Sequence, residues 1–238
     1  MCIRDSNNTV ITRGTTFDNA ENLSEQAVQQ LKLKYGNTRL GRQELMGEVL
    51  EDVEGALWNY SYFENYRLNS LEEVPQLERI IVAIDPAVTS HEDSDQTGII
   101  VAGRGIDNRF YVIEDATMKA SPDKWMRKAI DLFYIHNADR IVAEVNNGGD
   151  LVEKLLRTID RNIAYKKVQA SRGKLVRAEP IAALYEQGKV SHVGSFTSLE
   201  DQLCTYAGGS NSPDRLDALV WALTELSTGS GKVYWRVN

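Results

Sequence analysis

RIIVAIDPAVTS, residues 79–90, decides how the rest of the chain is read. Ile80, Ile81, Val82, Ala83 and Ile84 form a short apolar run rich in β-branched residues, the composition of a strand buried on both faces. The run stops at Asp85-Pro86. Pro86 has no N–H to donate to a sheet and pushes its predecessor toward extended geometry, so the chain leaves the sheet with the Asp85 carboxylate at its exit. There the sheet holds the backbone while the side chain looks into a cleft, which suits a metal ligand or a catalytic acid. An aspartate that merely opens a turn is the plainer alternative.

Downstream of this run, strands and helices alternate. Residues 98–102 and 109–114, joined by the turn-forming GRGIDN, read as a hairpin that follows the first strand. Ser121-Pro122 opens a helix reaching about residue 136, with Trp125, Ala129, Leu132 and Phe133 on its apolar side. Residues 140–145 are the next strand, 149–160 a helix, 163–168 the fifth strand, and a helix runs through residue 185 with Pro180 starting or kinking it. Residues 190–193 are short and extended, and helices follow at about 198–206 and 213–226. This order predicts an α/β fold, a mixed five-stranded sheet with helices on its faces.

Upstream the texture differs. MCIRDS at residues 1–6 fits no pattern, and residues 1–8 are read as a non-native start. Residues 9–12 suggest a short strand and 14–22 are rich in turn formers. Ser24 caps a helix that carries Ala27, Val28, Leu31 and Leu33 and ends at Gly36, and a second helix is expected over about 41–50. Residues 9–60 have too little apolar material for an independent core and read as the tail of a larger domain. The polar stretch 61–78, with Pro75 near its end, is expected to be a linker to a domain over 79–228, and 229–238 to be a tail.

Three acidic positions fall where this order brings strand ends and a helix start together. Asp85 is the first. Glu144, in RIVAEVNNGGD, closes another apolar strand, where an ionised carboxylate is costly unless it is paired or metal-bound. Asp217, in SPDRLDALVWALTEL, stands three residues after Asp214, so the two share one face of the first helical turn. Acids at that turn also arise simply because they complement the helix dipole. Converging carboxylates resist full ionisation unless a cation joins them. The histidines, His91, His136 and His192, share no ligand spacing, and Cys2 and Cys204 are the only cysteines, so hard oxygen ligands for Mg²⁺ or Mn²⁺ are indicated. Two such ions roughly 4 Å apart activate a water and steady the leaving oxygen in phosphodiester hydrolysis. Asp93, Asp95 and Asp150 are candidate auxiliary ligands or plain turn residues.

The 238-residue chain carries a net charge of −7, which alone would disfavour a nucleic-acid partner. The charge is segregated, however. Residues 161–178 hold Arg161, Lys166, Lys167, Arg172, Lys174 and Arg177 without an acid, so that strip is +6 and the remainder −13. A strip of this kind is either a phosphate-binding surface, with Lys167, Arg172, Lys174 and Arg177 on the DNA backbone, or a solvated face. No apolar run is long enough to span a bilayer, no signal peptide is visible, and two cysteines fit a reducing cytoplasm.

The blocks DPAVTSHEDSDQTGIIVAG, IVAEVNNGGDLVEKLL, SRGKLVRAEPIAALYEQGKV and SPDRLDALVWALTEL resemble successive blocks of the nuclease domain of phage terminase large subunits, the motors that package DNA into capsids and cut it. The resemblance implies a ribonuclease H-like fold and an acidic triad with two Mg²⁺ or Mn²⁺ ions, which Asp85, Glu144 and Asp217 would supply, with Asp214 as the other choice for the third position. It also implies double-stranded viral DNA, a terminase small subunit and a capsid portal as partners, and action in the host cell cytoplasm. ITRGTTFDNAENL and YGNTRLGRQELMGEVLEDVEGALW resemble the end of the family's ATPase domain, yet no G-x-x-x-x-G-K-[ST] loop is present, so ATPase activity is not expected. The expectation is a metal-dependent endonuclease that cuts concatemeric viral DNA. The alternatives are another ribonuclease H-like nuclease of resolvase or transposase type, and a non-catalytic module that grips DNA or docks on the portal.

Overall fold

The computed structural model describes residues 14–35, 45–47, 53, 55–87, 96–145, 150–208 and 213–228. The readings for residues 1–12, for Asp93 and Asp95, for the turn 146–149 and for the tail fall outside these, as does the side chain of Asp150. The chain divides into two units, Met1–Glu51 and Asp52–Asn238.

In the first unit, the stretch rich in turn formers makes a 3-10 turn over Thr16–Asn22. Thr15 and Asp18 hold its start by exchanging side chain for backbone: Thr15 N–H donates to Asp18 Oδ2 (2.7 Å) and Asp18 N–H to Thr15 Oγ1 (3.1 Å). Helix α1 (Glu25–Tyr35) follows the Ser24 cap, whose hydroxyl accepts from the Ala27 N–H at 3.2 Å. Of the second helix expected here, only residues 45–47 are described, and they form a turn in which Gly47 has φ +60°. A left-handed residue interrupts an α-helix at that point.

The second unit is a six-stranded sheet. Its strands are β1 (Leu77–Asp85), β2 (Gly98–Gly105), β3 (Phe110–Asp115), β4 (Arg140–Glu144), β5 (Tyr165–Val168) and β6 (Val190–His192), in the spatial order β5-β4-β1-β2-β3-β6. β1 pairs antiparallel with β2 and β2 with β3, whereas β4 runs parallel to β1, β5 to β4 and β6 to β3. Five strands were expected. The sixth is the three-residue Val190–His192, too short for a pattern of its own but wholly buried and in register with β3 from Phe110 to Val112.

Helices cover both faces, as alternation along β1 requires. Ile81 and Ala83 face one core, shared with α2 (Tyr60–Tyr66), α5 (Lys174–Glu186), α6 (Thr197–Thr205) and α7 (Asp214–Thr228). Val82 and Ile84 face the other, shared with α3 (Pro122–Ile135) and α4 (Asp150–Ile159). Helix α2 corrects the linker reading of residues 61–78. It is capped by the Asn59 side chain, and Trp58, Tyr60 and Phe63 are buried in the first core. Phe63 meets Tyr185 edge to face at 5.5 Å, so aromatic burial outweighs the polar composition around it. Pro180 does not start α5, which runs from Lys174 through it to Glu186. Among the described residues no helix is long and apolar enough to cross a membrane.

Candidate active site

Strand register brings the first two acids together. Ile84 lies opposite Ala143 in the parallel β1–β4 pair, so Asp85 and Glu144, one residue further on, end adjacent strands side by side. Alternation aims both at the face covered by α7, because Asp85 follows Ile81 and Ala83, and Glu144 follows Val142, into that core.

A glycine brings the other two. Asp85 pairs with Gly98 across β1–β2, and a Cβ on Gly98 would lie 2.0 Å from the Asp214 carbonyl oxygen. The first turn of α7 therefore rests directly on the sheet backbone beside Asp85, a close approach only glycine allows. Arg215 ties the same turn to β3, its Nε donating to Asp115 Oδ2 at 3.0 Å. Asp85, Glu144 and Asp217 are 8%, 6% and 1% exposed, and Asp214 is also buried. Burial, then the charges of Asp217, Glu144 and Asp214, push the Asp85 carboxyl well above its ordinary range, while Lys174 opposes them. All four acids thus act on one locus.

Two bases from α5 are drawn into it. Arg177 donates from Nη2 to Asp217 Oδ1 at 2.8 Å, and its Nη1 stands 3.5 Å from Glu144 Oε1. Lys174 Nζ lies 2.6 Å from Asp217 Oδ2. Burial works against the Lys174 ammonium, but the Asp217 carboxylate outweighs it and raises its pKa. The Arg177 guanidinium stacks over Trp221, 4.7 Å from the ring centre, and Trp221 Nε1 donates to Glu144 Oε2 at 2.7 Å.

These contacts revise two expectations. The basic strip is not one surface: Lys166 pairs with Glu225 at 2.6 Å, and Lys174 and Arg177 turn to the acids. Arg161, Lys167 and Arg172 are exposed. Arg177, stacked on Trp221 with its side chain only 10% exposed, is therefore not placed to grip a DNA backbone from the surface. Nor do the acids form a ready-made ligand set, since among the described residues no three His, Cys, Asp or Glu side chains stand as a metal-holding group. Each oxygen of Asp217 faces a base of α5.

The sequence reading missed Trp221. Its signal was present: Asp214, Asp217, Trp221 and Glu225 recur at intervals of three, four and four residues, one stripe along α7. Glu225, at the far end of that stripe, gathers Arg79, Arg140 and Lys166 at 2.6, 2.9 and 2.6 Å.

Residues 82–226 match the family model of the terminase RNaseH-like domain. The chain belongs to this family. The fold of this terminase RNaseH-like domain is shared with solved structures of low sequence identity. The nuclease domain of the large terminase subunit gp2 of bacterial virus Sf6 is 13% identical with a TM-score of 0.55, over 71% of this chain and 98% of that one. The large terminase nuclease of thermophilic phage G20c, solved with bound magnesium, is 17% identical with a TM-score of 0.53, over 73% and 98%. The human cytomegalovirus terminase nuclease domain, soaked with Mn and holding an inhibitor, is 16% identical with a TM-score of 0.53, over 71% and 95%. The chain spans about half (51%) of the length of a large terminase from a thermophilic bacteriophage that it also matches. No curated protein matches.

Proposed function

We propose that this terminase nuclease domain is a metal-dependent DNA endonuclease that cuts concatemeric viral DNA during genome packaging. One observation carries the reading: Asp85 and Glu144 end adjacent parallel strands, and α7 lays Asp217 over them. The donor chemistry fits a divalent cation. Four carboxylates, Asp85, Glu144, Asp214 and Asp217, meet two bases, Lys174 and Arg177, so the fully ionised cluster retains excess negative charge. Only hard oxygen ligands are on offer, which favours Mg²⁺ or Mn²⁺.

Asp85, Glu144 and Asp217, with Asp214 beside them, would hold two ions. When bound, such ions lower the pKa of a water and stabilise charge on the leaving oxygen. The chain's own groups do the rest. Trp221 and Arg177 hold the Glu144 carboxylate in one orientation, and exposed Lys167 and Arg172 neutralise the phosphates of an approaching duplex. A terminase small subunit and a capsid portal are the proposed partners, and the host cell cytoplasm the place of action. The remnant reading of residues 9–60, as the end of an ATPase domain, is retained as part of this proposal.

The test is plasmid nicking by the purified chain. Nicking is expected with Mg²⁺ or Mn²⁺, to stop in excess chelator, and to be lost in Asp85→Ala with the fold retained by circular dichroism. Equal cleavage by that variant, or cleavage in chelator, would sink the reading.

A further inference from the structure

The acids of the site are held by two bases of different character. Arg177 has a side chain only 10% exposed, stacks on Trp221 and touches both Glu144 and Asp217. Its planar fork is locked from several sides. Lys174 has a side chain 35% exposed, is the first residue of α5, and follows Gly173, which supplies no side-chain cap. Nothing within 4 Å of Gly173 would meet a Cβ there, so the backbone at this end of the helix is uncrowded. A lysine is a point charge on a flexible stem and moves by changing rotamers alone.

We propose that Lys174 is a displaceable counter-ion, which withholds Asp217 from a divalent cation until the phosphate backbone of DNA draws the ammonium away. The inference rests on the metal-dependent reading of the site and adds its regulation. The 2.6 Å pair sets Lys174 and the cation in competition for the same Asp217 oxygen. Two residues away stands exposed Arg172, so a duplex that reaches this end of α5 brings phosphates near Lys174 as well. Phosphate is the alternative partner for the ammonium. DNA that binds Lys174 raises the affinity for the cation, and by linkage the cation raises the affinity for DNA by the same factor. A site wired this way loads its metal on the substrate, and without it Asp217 keeps Lys174 as its counter-ion.

The experiment measures Mn²⁺ affinity of the whole chain by the loss of the free-ion electron paramagnetic resonance signal. It is done alone and with a short phosphorothioate duplex that resists cleavage, after subtraction of Mn²⁺ held by the duplex itself. Without DNA, Lys174→Gln is expected to bind Mn²⁺ roughly five-fold or more tighter than wild type. Arg172→Gln makes the same charge change without the carboxylate contact and is expected to gain less than about two-fold. The duplex should tighten Mn²⁺ in wild type and add little in Lys174→Gln. Equal gains in the two variants, no gain in Lys174→Gln, or the same duplex effect with and without Lys174 would each overturn the proposal. Asp85→Asn separates it from the reading beneath it. If that variant binds Mn²⁺ as well as wild type, or no form binds Mn²⁺, the metal site itself is refuted and the counter-ion role with it.

Discussion

Trp221 Nε1 donates to Glu144 Oε2 at 2.7 Å inside the buried site, and the Arg177 guanidinium lies on the same indole. The contact joins α7 to the end of β4 across 77 residues of sequence. Trp221→Phe keeps an aromatic surface under Arg177 and removes the donor. A buried carboxylate oxygen left without its partner costs about 1–3 kcal/mol. Urea unfolding of the variant should register that loss, and plasmid nicking should fall below wild type.

Gly98 is the second handle on the site. In Gly98→Ala the new Cβ would meet the backbone carbonyl of Asp214 at 2.0 Å, so the first turn of α7 must lift from the sheet. Overpacking of this kind costs about 1–3 kcal/mol. Nicking should fall along with the unfolding midpoint, whereas Gly173→Ala, which meets nothing within 4 Å, should leave the midpoint near wild type.

Glu225 closes the opposite end of α7. Its buried carboxylate takes Arg79, Arg140 and Lys166 at 2.6, 2.9 and 2.6 Å. Glu225→Gln leaves three bases around a neutral amide. Arg140 and Lys166 are partly solvated, which keeps the expected loss at about 1–3 kcal/mol, below that of a fully buried pair. Added salt should narrow the gap between variant and wild type in chemical denaturation, because it screens the repulsion among the bases.

Acid should unfold the chain through a buried relay. The Tyr185 hydroxyl meets His192 Nε2 at 2.8 Å, His192 Nδ1 meets Glu200 Oε1 at 2.9 Å, and Arg67 grips both Glu200 oxygens at 2.7 and 2.9 Å. A neutral imidazole satisfies this chain, accepting from Tyr185 and donating to Glu200. Burial pulls His192 below its ordinary 6.5 despite the pull of Glu200. Burial alone would raise Glu200, but His192 and Arg67 bring it from 4.5 down to about 2. Both groups are depressed on folding, so both contribute stability at neutral pH that is lost as pH falls. The unfolding midpoint should begin to drop below about pH 6.5 and fall further between about 4.5 and 2. Glu200→Gln should be less stable at pH 7, and its difference from wild type should shrink across the lower window. A difference that stays constant from pH 7 to 3 would refute the assignment.

Local chemistry was enough to read β1, the hairpin and the helices other than α2. The β-branched run 80–84, the Ser24 cap, and Pro122 and Pro213 at helix starts act through backbone dihedrals and nearest neighbours, which a linear sequence displays. The candidate acids at strand ends were legible for the same reason. Residues 60–66 were not, because their polar composition hides Tyr60 and Phe63, and Phe63 packs on Tyr185 more than a hundred residues away. The extended reading of residues 190–193 found β6, but its parallel pairing with β3 as a sixth strand depends on contacts far apart in sequence.

What the sequence by itself determined about this terminase RNaseH-like domain is the order of its elements and the ends at which its acids stand. Tertiary structure alone decided the partners: Lys166 goes to Glu225, Lys174 and Arg177 to Asp217, and Trp221 to Glu144. Each of these joins residues 40 to 77 positions apart. A charge run in sequence carries no information about which opposite charges the sheet register and the seating of α7 on Gly98 will bring against it, because pairing energy depends on distance in space and on burial.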